Sequence, residues 1–210
     1  MFEIFFLLIS LLISFYGYKI YRLSKNKEHK YFSMSFLLIA LSFVFKILTN
    51  FDIYYNVFRT FRIGFQTFIL SYLYNSGIIH ATGLFVYKLL TTFAFFGLFL
   101  IETKRHSKND IYLIIYFILI STILSIFTYY IFHITLAIIL FLICSRMYNN
   151  YEKDKRHSKF LVLFSFLMIF LSQFAFMLIF LETEFYVLGE IFLLVGYSVL
   201  LFNYLTVSRK

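Results

Sequence analysis

Long apolar runs separated by short charged segments dominate this chain of 210 residues. A helix that crosses a bilayer needs roughly 17–25 mostly apolar residues. Hydrophobic residues make up 62% of the chain and charged residues 14%, whereas soluble domains carry roughly 25% charged residues. The composition therefore excludes an ordinary soluble domain and predicts an all-α, polytopic integral membrane protein. Runs of spanning length cover 2–19, 31–50, 80–101, 160–181 and 185–206.

A further stretch, between Asp110 and Arg146, contains no charged residue and is too long for one span. As a single helix it would measure roughly 55 Å, against a hydrocarbon core of about 30 Å. We therefore expect two spans that are joined by a tight turn near Thr128–Tyr130. The sequence then predicts one domain over 1–210, a bundle of seven transmembrane helices in the cell membrane.

Segment 53–79 does not fit this series of spans. Asn56, Arg59, Arg62 and Gln66 recur at nearly helical spacing, and phenylalanines occupy the opposite face. This pattern predicts an external amphipathic helix in the membrane interface. A re-entrant segment and an eighth span are the alternatives.

Lysine and arginine residues fall almost entirely on one side of the predicted membrane. They occupy segments 19–30, 102–109 and 146–159 and the C-terminal tail, whereas the other side holds Arg59 and Arg62. The positive-inside rule makes the basic side cytoplasmic, with the N-terminus outside and the C-terminus inside. An eighth span would disturb this distribution. Anionic lipid headgroups are sufficient partners for the net charge of +9, so no nucleic-acid partner is needed.

A basic pentapeptide, KRHSK, stands at 104–108 and again at 155–159, and KEHK at 27–30 is a looser version. Each precedes a predicted span, which indicates a helix hairpin used three times and followed by a seventh helix. SFLLIALS at 35–42 also resembles SFLMIFLS at 165–172. The basic clusters would anchor the protein to lipid headgroups, or bind phosphate or a protein partner. Their residues are His29, Lys104, Arg105, His106, Lys108, Lys155, Arg156, His157 and Lys159.

Polar residues inside the predicted spans fall at one height, roughly 20–24 Å from the cytoplasmic ends. They are Lys88, Glu190, Lys46, Gln173, His133 and Glu3. Ionisable groups inside a membrane face the bundle interior and pair with one another, so we expect a buried polar layer in which Lys88 pairs with Glu190. The layer would hold the helices in register, or line a ligand pocket that opens outward. Alternatively, Lys46 and Lys88 would snorkel to the surface.

Motifs for catalysis or cofactor binding are absent from the sequence. It contains no HExxH, no GxSxG and no glycine-rich phosphate loop, and Cys144 is its single cysteine. The last predicted span has no lysine that would bind retinal. We therefore expect neither a metal nor a cofactor, and a non-enzymatic protein.

Residues 18–43, YKIYRLSKNKEHKYFSMSFLLIALSF, carry a family resemblance. They resemble the membrane-sensor modules that precede some bacterial and archaeal histidine kinases, and also small uncharacterised archaeal membrane proteins. The resemblance implies a sensor-like or scaffold module with a separate signalling or membrane protein as a possible partner. A small-solute transporter that uses the same polar layer is the alternative, and a membrane enzyme is less favoured. Sugar transporters with three-plus-one-plus-three helices share the predicted spans, but their Pro-Gln signature cannot occur in a chain without proline.

Overall fold

The computed structural model describes residues 2–60, 66–103, 108–125 and 128–208. Side chains are not described for 51–60, 66–79, 108–110, 113 and 207–208. The described chain is helical throughout, apart from short turns. Its helices are α1 (Phe2–Ser24), α2 (Lys27–Thr60), α3 (Gln66–Thr103), α4 (Lys108–Leu124), α5 (Tyr129–Lys153), α6 (His157–Met177) and α7 (Glu184–Ser208), with a 3₁₀ turn at Leu178–Phe180.

Within these described residues, six helices are long and apolar enough to cross a membrane. They correspond to α1, Lys27–Asn50 of α2, His80–Thr103 of α3, α5, α6 with its 3₁₀ turn, and α7. The remaining helix, α4, is shorter, with 17 residues. The structure is thus that of a multi-pass helical membrane protein. The predicted break near Thr128–Tyr130 is confirmed, because α4 ends at Leu124 and α5 begins at Tyr129.

Segment 53–79 does not form a separate element where it is described. Its first part continues α2 to Thr60, and its last part begins α3 at Gln66. The two helices have 34 and 38 residues. They are about 51 Å and 57 Å long, well beyond a hydrocarbon core of about 30 Å. Arg62 and the side chain of Arg59 lie outside the described residues, so the interfacial location of this segment stays a prediction.

Six of the described helices pack in a closed ring. Neighbours around the ring are α1, α2, α3, α5, α6 and α7, and α7 packs against α1. The shorter α4 lies outside the ring, against α3 and α5. Exchanging α1–α3 with α5–α7 in order leaves the contacts around the ring unchanged, but not those of α4. We call these two sets the first and second three-helix groups; the predicted threefold hairpin repeat stays a prediction.

The basic segments that the structure describes lie at one end of the ring. Asn150 near the end of α5 donates a hydrogen bond to Glu102 near the end of α3. Phe32 near the start of α2 stacks on Tyr204 near the end of α7, with ring centroids 5.2 Å apart. The α1–α2 turn, the α5–α6 turn and the C-terminal ends of α3 and α7 therefore share this end. We call it the basic end.

Small residues bring neighbouring helices into close contact. The Ser14 and Ser33 hydroxyls each donate to the other residue's carbonyl, at 2.9 and 2.7 Å, which joins α1 to α2. Gly196 of α7 lies directly against α6, where an added Cβ would sit 2.9 Å from the carbonyl oxygen of Ser165. Such contacts replace the hydrophobic force that helices lack when lipid surrounds them.

Two glycines provide a matched test of this packing. Gly196→Ala should lower the free energy of unfolding by about 1–3 kcal/mol, because the added methyl group meets α6 backbone. Gly17→Ala should be neutral or slightly stabilising, because its methyl group would meet Ser33 at an ordinary 3.4 Å and alanine favours helix. Unfolding of the purified protein in mixed micelles would measure both. Equal losses in the two variants would contradict the predicted close contact of α6 and α7.

Candidate functional site

Three charged side chains from three helices meet inside the ring. The Nζ atom of Lys46 on α2 lies 3.6 Å from Oε1 of Glu3 on α1 and 3.5 Å from Oε1 of Glu190 on α7. Glu190 is 3% exposed, and the Lys46 and Glu3 side chains are 16% and 14% exposed. Asn50, one turn after Lys46, donates a hydrogen bond of 2.6 Å to the same oxygen of Glu3. We call Glu3, Lys46, Asn50 and Glu190 the ion cluster.

The predicted pairing of Lys88 with Glu190 is wrong. The Nζ atom of Lys88 donates a hydrogen bond of 2.6 Å to the carbonyl oxygen of Ser125 and lies 5.8 Å from the centre of the Phe132 ring. Ser125 directly follows the last residue of α4. The final carbonyls of a helix lack helical partners and carry partial negative charge, so they attract a cation. Lys88 therefore caps the C-terminal end of α4.

Most other polar groups at this end of α4 are also hydrogen-bonded. The Ser125 amide donates to Ser121, and its hydroxyl donates to the carbonyl of Thr122. The Thr128 amide donates to the carbonyl of Leu124. Backbone groups at a helix end that is shielded from water must be satisfied by the protein in this way. The Lys88 ammonium donates to the Ser125 carbonyl, so the amide, hydroxyl and carbonyl groups of Ser125 all have hydrogen-bond partners.

His133 and Gln173 form a separate buried pair between α5 and α6. The His133 Nδ1 atom lies 2.9 Å from Oε1 of Gln173, within hydrogen-bond distance. The imidazole also contacts the rings of Tyr129, Phe132 and Phe176, with centroids 4.5–5.4 Å away. This pair lies in a mostly aromatic environment and belongs entirely to the second three-helix group.

The predicted single polar layer is thus divided by aromatic rings. Tyr87 and Phe132 lie with ring centroids 5.8 Å apart. Lys46 approaches the Tyr87 ring at 5.7 Å, and Lys88 approaches the Phe132 ring. The structure therefore brings Glu3, Lys46 and Glu190 together, and it places Lys88 and the His133–Gln173 pair in neighbouring but different environments.

Sequence reasoning missed several members of this region. Asn50 follows Lys46 by four residues, so the helical period alone would have placed both side chains on one face. Tyr87 directly precedes Lys88, and the sequence analysis assigned only the charged residue of this pair to the polar layer. The partner of Lys88 could not be predicted from the sequence, because it is a backbone carbonyl and every residue has one.

At the basic end, Asp154 is an internal counter-ion for the second KRHSK motif. Its Oδ2 atom lies 3.0 Å from Nε of Arg156 and 3.0 Å from Nζ of Lys159. The hydrogen bond from Lys159, together with the Arg156 guanidinium, lowers the pKa of Asp154. The attraction is therefore present at neutral pH and is lost as the pH falls through that lowered pKa.

The other predicted basic residues are only partly described. Lys155 and His157 are exposed, and His29 is half-buried in the first turn of α2. Lys104, Arg105 and His106 lie outside the described residues, as does the side chain of Lys108.

No group of three His, Cys, Asp or Glu side chains in the described ranges could hold a metal ion. Comparison of the chain with family models, with curated proteins and with solved structures gave no match. The chemistry of the ion cluster is therefore the basis for assigning a function.

A double-mutant cycle tests the pairing of Lys46 with Glu190. Lys46→Met should destabilise the protein by about 3–5 kcal/mol, because it leaves buried carboxylates without their cation. Glu190→Gln in the same chain should recover part of the loss, because one of these charges is then removed. Unfolding in mixed micelles would give the coupling energy.

Lys88 supplies the control for that cycle. Lys88→Met should be destabilising in itself, by about 1–3 kcal/mol, because it leaves the Ser125 carbonyl unsatisfied. Combined with Glu190→Gln, however, its effect should simply add, since the two side chains are not partners. Strong coupling of Lys88 with Glu190 and none for Lys46 would contradict the observed arrangement.

Proposed function

We propose that this chain is a non-enzymatic integral membrane module of the sensor or scaffold type that binds a small ligand at the ion cluster. One observation carries the proposal: the Lys46–Glu190 ion pair joins the first three-helix group to the second. A ligand that competes for either charge would change the force that holds the groups together.

The energy available to such a ligand is substantial. A charge left alone in the bilayer centre costs about 2.5–3.5 kcal/mol on insertion scales. A ligand that replaces one member of the Lys46–Glu190 ion pair therefore changes the free energy with which α7 packs against α1 and α2. The change is comparable to the coupling free energies of ordinary signalling proteins. No reacting residue is needed for this role.

The proposed topology has seven spans, with α4 as the shortest, the N-terminus outside and the C-terminus in the cytoplasm. It is supported by the described basic segments at one end of the ring and by acidic Glu182, just before α7, and Glu184, the first residue of α7, at the other. The ion cluster then lies in the outer half of the bundle. The basic end faces anionic lipid headgroups, or a cytoplasmic signalling or membrane protein that reads the change.

A small-solute transporter is the second candidate. It is favoured by the packing of the ring, in which two three-helix groups with like contacts meet around a polar cluster. Transporters commonly place their site at the interface of two repeated units that move against each other.

A binding panel tests the proposed site. Small carboxylates, amines and sugars would be added to the purified protein in nanodiscs, and thermal unfolding would be followed. At least one charged compound should raise the melting temperature of the wild type, and Lys46→Met should lose this response. Lys19→Met, at the exposed end of α1, is the matched control and should keep it. Absence of any response, or equal responses in the Lys46 and Lys19 variants, would contradict the site.

Uptake of the stabilising compound into proteoliposomes then separates the two candidates, because a sensor binds without net transport and a transporter accumulates the compound.

The proposed orientation has its own test. A reporter fused after Lys210 should behave as cytoplasmic, and a single cysteine at Asn56 should react with an impermeant reagent from outside. Cys144 would be replaced by serine first; it is buried, so its background labelling is low. Labelling of the Asn56 cysteine from the cytoplasmic side would contradict the proposed topology.

A further inference from the structure

The carboxylate of Glu190 has fewer neutralising contacts than a buried charge normally needs. Its Oε1 atom lies 3.5 Å from the Lys46 ammonium, and that same ammonium also serves Glu3. Its Oε2 atom is buried and has no hydrogen-bond partner among the described residues. A buried carboxylate normally has both oxygens satisfied, because desolvation costs more than a single shared contact returns.

The ionisable groups around Glu190 leave this oxygen unneutralised. Glu3 comes from α1, Lys46 from α2 and Tyr87 from α3; Tyr186, one turn earlier on α7, interacts with the Glu190 carboxylate through its hydroxyl but brings no positive charge. Along α6 no acidic or basic side chain follows Lys159.

Two more distant groups are engaged elsewhere. His133 on α5 is within hydrogen-bond distance of Gln173, and Lys88 caps α4. Lys46 is thus the one cation of the described residues within ion-pair distance of Glu190.

We infer that the Glu190 carboxylate binds a monovalent cation, either a proton or an alkali ion. This rests on the proposed function and names the ligand class for the same site. A positive charge at Oε2 would supply the missing compensation, and carboxylate and phenol oxygens suit hard cations and protons alike. The bound cation releases Lys46 toward Glu3, which weakens the attachment of the second three-helix group to the first. Cation occupancy is thereby coupled to packing at the α1–α7 contact.

Thermal unfolding of the full chain in nanodiscs tests this inference in two arms. One arm varies pH at constant salt. The other varies sodium or potassium at constant pH, with choline chloride balancing the ionic strength. A ligand that binds the folded state raises the melting temperature as its concentration rises, so the melting temperature of the wild type, taken relative to that of Glu190→Gln, should rise toward lower pH or toward higher alkali concentration. The arm that responds identifies the cation.

Glu190→Gln should abolish the response, and Glu182→Gln is the matched control. Glu182 is an exposed carboxylate just before α7, so its variant should respond like the wild type. A wild type that is flat in both arms, or a Glu190→Gln protein that responds as strongly as the wild type, would overturn the inference.

If Glu190→Gln does not fold, Glu190→Asp keeps the carboxylate and should shift the midpoint of the response; an unshifted midpoint would overturn the inference. For the proton arm, infrared difference spectra should show a protonated carboxyl band at low pH that Glu182→Gln retains and the Glu190 variants lose or shift. These readouts are independent of the compound panel. A chain that responds to a panel compound but is flat in both cation arms would therefore overturn the cation inference and leave the proposed ligand site standing.

Discussion

The Lys46 ammonium, held between two carboxylates inside a membrane bundle, is the interaction on which much of this architecture depends. A charge in hydrocarbon is tolerated only when a partner is close. Glu3 and Glu190 come from the first and last helices of the chain, so the ion cluster can form only if α7 returns to α1. The cluster therefore links closure of the ring to neutralisation of its charges. Apolar packing alone would not select this closure, because lipid competes equally well for apolar surfaces.

A second constraint, backbone satisfaction, explains the other buried lysine. The turn between α4 and α5 brings helix-end carbonyls close to α3, and the Lys88 ammonium reaches one of them. The two lysines look alike in the sequence, each a single charge in an apolar span. One is nevertheless part of an ion cluster, and the other is a helix cap. A competing ligand could replace a side-chain partner of Lys46. The partner of Lys88 is a backbone carbonyl at the end of α4, so only Lys46 suits the proposed regulatory role.

The charges at the basic end differ in their surroundings from those inside the ring. At the basic end, charges are exposed and partly compensated by nearby acids such as Asp154, as expected for groups that meet water and headgroups. Inside the ring the charges are few and are shared between helices, because one ammonium contacts two carboxylates. Under the proposed function, a ligand at the ion cluster and a partner at the basic end would communicate through whole helices, and α7 would be the most direct connection.

The sequence by itself determined the features that depend on local composition. These are the apolar spans, the break before Tyr129 and the grouping of the described basic residues at one end. Tertiary structure decided what the sequence could not: that Glu190 faces Lys46, that Lys88 faces α4, and that 53–60 and 66–79 extend α2 and α3. Partner choice depends on the rotation of each helix about its axis and on its neighbours. Close contacts such as that between Gly196 and Ser165 fix the rotation of each helix and the choice of its neighbours. These contacts exist only once the helices have packed.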